Sequence, residues 1–142
     1  MKKRSERITA SSRGTRALAA RFVRALPPGA IVFLDGPLGA GKTVFVKGMA
    51  RGLGVDPEGV RSPSFLLVHN YGGLLHVDCY RLQKADEAAL REAGILEALE
   101  GPEIKAVEWA PAVLKKMHPR APRVRIDFVS DGTRRIVISE RA

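Results

Sequence analysis

Apolar side chains recur along this chain with two different periods. Leu18, Ala19, Phe22, Val23 and Leu26 fall on one helical face, behind Ser11 or Ser12 as a cap and ahead of the stop at Pro27-Pro28-Gly29. The continuous run over 30–35 predicts a buried strand, and Val44 to Leu53 returns to helical spacing. A turn-rich link from Gly52 to Gly59 follows. Leu66 to His69 and Leu74 to Asp78 then read as two short strands joined by a turn at Asn70-Tyr71-Gly72-Gly73. Ala89, Leu90, Ala93, Leu96 and Leu99 predict a helix over 86–99, with Gly94 inside it and Gly101-Pro102 as its stop. Ile104 to Trp109 is a second central strand, and Pro111 to Met117 a short helix or turn.

The two ends read differently from the middle. Residues 1–10 are polar and basic, which suggests a partly flexible start or a short edge strand around Ile8 and Thr9. Arg123 to Val129 and Arg135 to Ser139 alternate polar with apolar positions around Ser130-Asp131-Gly132-Thr133, the pattern of an antiparallel hairpin with one wet face. Together these elements predict one α/β domain over 1–142: a central mixed sheet flanked by helices, closed by a C-terminal antiparallel hairpin.

Composition narrows the classes. The 142 residues suffice for one domain with a real core. A lone cysteine, Cys79, excludes a disulfide framework or a cysteine-rich zinc site, and His69, His76 and His118 form no H-E-x-x-H pair. No run approaches the length of a membrane span and no signal-peptide core follows the basic start, so no membrane association is expected and the cytoplasm is the expected location. The net charge of +9 is uneven. Basic ends enclose an acidic middle, a polarity able to steer a nucleic acid or an acidic partner.

The strand at 30–35 runs directly into Gly36 to Thr43, GPLGAGKT, which fits the phosphate-cradling loop G-x-x-x-x-G-K-[ST]. Strand, loop and helix follow in the order that loop requires. Gly36, Gly39 and Gly41 allow tight turning, so the backbone N–H groups from Gly36 through Leu38, Gly39, Ala40, Gly41, Lys42, Thr43 and Val44 can face an anion at the start of a helix. Lys42 is expected to reach the β- and γ-phosphates and Thr43 to ligate Mg²⁺. An N-K-x-D guanine signature is absent, leaving ATP as the default nucleotide.

Hydrolysis also needs a fixed metal and an oriented water. Asp78 and Glu108 end two predicted strands, where ligands of open α/β sheets gather. Glu108 is the first candidate for the metal contact. Asp78 would orient water, hold the metal shell or stabilise a loop, or else pair with Arg81. Asp35 is expected to support the loop backbone. Ser64, in Ser62-Pro63-Ser64, sits where a switch segment would sense the γ-phosphate. Trp109 reads as a core or partner contact.

These segments together resemble the bacterial TsaE (YjeE) family, the P-loop ATPase of tRNA threonylcarbamoyladenosine biosynthesis. The likeness rests on GPLGAGKTVFVKGMARGLG, SPSF, HVDCYRL and VEW, and covers most of the chain. It implies that Lys42 and its loop bind ATP, that Thr43 and Glu108 organise magnesium, that Asp78 matters for ATPase function and that Ser64 lies in the switch. It also implies partnership with TsaB and TsaD, with tRNA reached through that complex, in modifying adenosine 37 of tRNAs that read ANN codons. Pro37, Ser64 and Ala110 depart from the family pattern without removing a phosphate or metal group. Two other functions stay open at this point: a small-molecule P-loop kinase, and a non-enzymatic nucleotide-gated module that binds tRNA or protein.

Overall fold

A computed structural model describes residues 2–37, 39–60 and 67–141. Its elements are β1 (Lys2–Thr9), α1 (Ser12–Arg24), β2 (Ile31–Asp35), α2 (Lys42–Gly52), β3 (Val68–Asn70) and β4 (Leu74–Asp78), then α3 (Glu87–Glu92), α4 (Ile95–Ala98), β5 (Ile104–Glu108), α5 (Ala112–Met117), β6 (Arg123–Ser130) and β7 (Thr133–Arg141). The seven strands form one mixed sheet in the order β1-β7-β6-β2-β5-β4-β3. Strands β6, β2, β5 and β4 run parallel, while β7 on one side and β3 on the other run against them and β1 pairs antiparallel with β7.

Alternation along β2 sends neighbouring side chains to opposite faces. Val32 and Leu34 join Phe45, Met49, Val124, Ile126 and Ile136 beneath α1 and α2. Phe33 faces the other way, into Val77, Leu90, Ile95, Val107 and Leu114 beneath α3 to α5. Phe33 and Phe45 are fully buried, each removing on the order of 1.5–3 kcal/mol of apolar exposure from water. Ser11 caps α1 through a 3.1 Å bond from the Gly14 N–H. Helix α2 can lie close against α1 because Gly48 and Gly52 face it; a Cβ on Gly48 would stand 2.5 Å from the Arg16 carbonyl oxygen.

Two elements differ from the sequence reading. The helix expected over 86–99 is two short helices, because Gly94 takes a left-handed φ of 80° and resets the chain between them. Strand β1 pairs with β7 over its whole length from Lys2 to Thr9, where the sequence suggested an edge strand only around Ile8 and Thr9. The C-terminal antiparallel hairpin forms as expected, and β6 also pairs in parallel with β2 from Phe33↔Arg123 to Asp35↔Arg125. This pairing carries the hairpin to the edge of the phosphate loop.

Candidate nucleotide site

The loop leaves the carboxyl end of β2 at the centre of the sheet. Gly36 has a φ of 147°, and a Cβ there would stand 2.3 Å from the Ile126 carbonyl oxygen, so only glycine lets the loop pass β6 this closely. Gly39 and Gly41 also take positive φ, 78° and 108°, and Gly41 is the N-cap of α2. Lys42 is the first residue of that helix, and Thr43, half-buried, is the second. The chain thus turns three times on glycines and enters the helix at Lys42, with the free N–H groups of its first turn beside the loop. That is a fixed patch of positive potential.

Lys42 is only 6% exposed. Its Nζ donates a 2.8 Å bond to the Gly36 carbonyl, lies 3.7 Å above the centre of the Trp109 ring, and stands 3.9 Å from Glu108 Oε1. Burial pushes its pKa down, while Glu108, Asp78 and Asp35 oppose the shift. The last of the three distances exceeds a hydrogen bond, so Glu108 acts on Lys42 through charge rather than a direct bond. Around this ammonium lies a cavity of about 290 Å³ lined by Leu34, Asp35, Gly36, Pro37, Lys42, Trp109 and Arg125.

Glu108 and Asp78 come together because β4 and β5 are parallel and in register, with Asp78↔Glu108 as the last pair. Asp78 Oδ1 accepts the Tyr80 N–H at 2.8 Å, and the Glu108 carbonyl accepts the Cys79 N–H at 2.9 Å. Among the described residues no ion pair joins Asp78 to Arg81. Asp35 pairs with Lys115 of α5 at 2.8 Å, which ties the end of β2 to the helix beyond β5. Trp109, next after Glu108, takes a φ of 57°, and Tyr80 packs edge-on to it at 5.2 Å. Holding a tryptophan in this region costs on the order of 1–3 kcal/mol. The conformation places the indole against the Lys42 ammonium.

Two residues at this site have no role in the sequence reading. His76, fully buried, places its Nε2 2.5 Å from Glu108 Oε2. Arg134 on β7 donates through Nε to the Ala40 carbonyl at 2.8 Å and lies 4.4 Å over the Phe128 ring, clamping the loop from the far side. Beside that clamp is a cleft of about 80 Å³ lined by Ser11, Ser12, Thr15, Gly41, Val44, Gly132 and Arg134. His76 was visible only as the second residue before Asp78 on a strand, and so on the same face. Arg134 had no signal, since only the pairing of β6 with β2 brings the hairpin to the loop. Leu38 and Ser64, the remaining predicted contacts, lie outside the described residues.

A phosphate loop between the central parallel strand β2 and its helix, with acids ending β5 beside it and β4 beyond, defines a P-loop α/β protein. Comparison with known proteins narrows the class. The profile of the family described as "Threonylcarbamoyl adenosine biosynthesis protein TsaE" matches residues 9–137. Proteins named tRNA threonylcarbamoyladenosine biosynthesis protein TsaE are similar in sequence: that of Treponema pallidum is 35% identical over 82% of this chain and 86% of its own length. The Bacillus subtilis protein is 32% identical over 92% and 82%, and that of Aquifex aeolicus 40% identical over 73% and 75%. The crystal structure of Bacillus subtilis YdiB superposes with a TM-score of 0.73 at 28% identity, covering 100% of this chain and 88% of that one. The chain belongs to the TsaE family.

Proposed function

We propose that this protein is an ATP-binding and ATP-hydrolysing accessory protein for threonylcarbamoylation of adenosine 37 in tRNAs reading ANN codons, working in the cytoplasm with TsaB and TsaD. Among the described residues no helix is long and apolar enough to cross a membrane. The observation that carries the reading is the position of Lys42, which lines a cavity at the carboxyl end of β2 with the Glu108 carboxylate 3.9 Å from its ammonium. Their opposite charges suit the phosphates and the metal that accompanies them.

The loop N–H groups and Lys42 bind the phosphates, and Arg134 keeps the loop in its turned form. The oxygen donors Thr43 and Glu108 fit a hard cation, and Mg²⁺ keeps water and phosphate ligands rather than needing an all-protein cage. When bound, Mg²⁺ would neutralise charge on the terminal phosphates. Asp78, beside Glu108 on the sheet, orients water, and Ser64 serves as the switch hydroxyl. The names of the relatives favour this reading over a small-molecule kinase and over a non-enzymatic nucleotide-gated module.

ATP turnover measured with and without TsaB and TsaD tests it. The expected result is little hydrolysis alone and clear stimulation by both proteins, lost in Lys42→Ala. Negligible hydrolysis with both partners present would overturn the ATPase reading.

A further inference from the structure

We propose that His76 is the positioning residue for the Glu108 carboxylate, an inference that rests on the ATPase reading above. The imidazole is fully buried, and its Nε2 lies 2.5 Å from Glu108 Oε2. Its other nitrogen, Nδ1, is buried and has no hydrogen-bond partner among the described residues. An ionised carboxylate oxygen can only accept, so Nε2 carries the hydrogen and donates it. An unpartnered buried nitrogen is a cost that an apolar residue of similar size would not carry. What the histidine supplies in return is its bond to Glu108.

The sheet explains the geometry. His76 and Asp78 share a face of β4, and their register partners on β5 are Ala106 and Glu108. A small residue opposite His76 leaves room for the ring to lean diagonally to Glu108. Tyr71 flanks the imidazole with ring centres 6.4 Å apart. The side chain is therefore aimed by packing before any ligand arrives.

The consequence is a division of labour between two oxygens. Oε2 is held by His76, whereas Oε1 faces the Lys42 ammonium at 3.9 Å, too far for a direct bond. Without His76 the carboxylate is free to turn and close onto Lys42, which removes a metal ligand and a phosphate ligand together. His76 thus keeps Glu108 open to the cation while touching neither metal nor nucleotide itself. Partners of this kind typically change metal affinity by about 10–100-fold when removed.

Mn²⁺ binding to the ADP-loaded protein, followed by electron paramagnetic resonance, tests this without turnover. His76→Phe keeps a buried ring but no donor, and His76→Gln restores an N–H at similar reach. The expected result is a loss of Mn²⁺ affinity of about tenfold or more in His76→Phe, recovery in His76→Gln, and little change in ADP affinity in EDTA. A folded His76→Phe protein that binds Mn²⁺ like the wild type would overturn the proposal. Should that variant not fold, His76→Gln against His76→Leu makes the same comparison. Wild-type protein that binds ADP without any effect of Mn²⁺, unchanged by Glu108→Ala, would instead overturn the ATPase reading beneath it.

Discussion

The Lys42 ammonium stands 3.7 Å above the indole of Trp109 while donating to Gly36, so the residue proposed to bind phosphate is held by protein groups. A nucleotide would compete for the same ammonium. Because Trp109 is the lone tryptophan of the chain, its emission reports that exchange directly. Adding ADP is expected to change the fluorescence, and Lys42→Ala to weaken ADP binding by roughly 10–100-fold, the scale of one charged hydrogen bond. A titration with unchanged emission, or a Lys42→Ala protein with wild-type affinity, contradicts this.

Glu108 is expected to separate binding from turnover. On the proposed reading, Glu108→Ala would remove a ligand for Mg²⁺ while leaving the loop amides and Lys42 in place. ATP binding in EDTA should persist, while turnover with TsaB and TsaD falls on the order of 10²-fold or more, as expected when several kcal/mol of metal stabilisation is lost. Parallel titrations with ATP and Mg²⁺ check both halves, and equal losses in both would remove Glu108 from the metal.

How much of this was legible in the sequence follows from the range of each interaction. The loop could be read because its chemistry lies within Gly36 to Thr43, and Asp78 and Glu108 because each ends an apolar run. Their adjacency rests on the parallel register of β4 and β5, which no local pattern encodes. The same holds for His76, whose partner is 32 residues away, and for Arg134, which lies 94 residues from the carbonyl it binds. Asp35 was assigned to the loop from proximity in sequence, yet its partner Lys115 is 80 residues distant. The break at Gly94 was signalled by composition, but the helical spacing of the flanking apolar residues masked it.

The contact between α1 and α2 should tolerate no added methyl group. A Cβ at Gly48 would meet the Arg16 carbonyl oxygen at 2.5 Å and the Ala19 Cβ at 2.7 Å. Backbone cannot move aside as a flexible side chain can. Gly48→Ala is therefore expected to lose about 1–3 kcal/mol, despite the better helix propensity of alanine. Urea denaturation measures it, and a stabilised variant would show that the helices slide apart freely.

Cys79 should be chemically silent in the folded protein. It is fully buried, and burial, with Asp78 nearby, pushes its thiol up to about 12. Thiolate is the reactive form, so little exists near neutral pH. Iodoacetamide labelling is expected only as the protein unfolds, with urea dependence matching that of unfolding. Fast labelling of native protein would mean that the carboxyl end of β4 opens locally.

His118 gives a stability signature with a definite sign. Its pKa is lowered from the ordinary value of 6.5, first by burial and then by the charge of Lys105. In the window just below 6.5 the unfolded chain takes up a proton that the folded protein resists, so stability is full above that value and declines as pH falls toward the folded pKa. His118→Asn cannot take up the proton, and the difference between wild type and variant should shift against the wild type as the medium is acidified through this window. Urea denaturation of both proteins at matched ionic strength measures the difference. A difference independent of pH, or one favouring the wild type on acidification, would mean that folding leaves the His118 proton affinity unchanged or raises it.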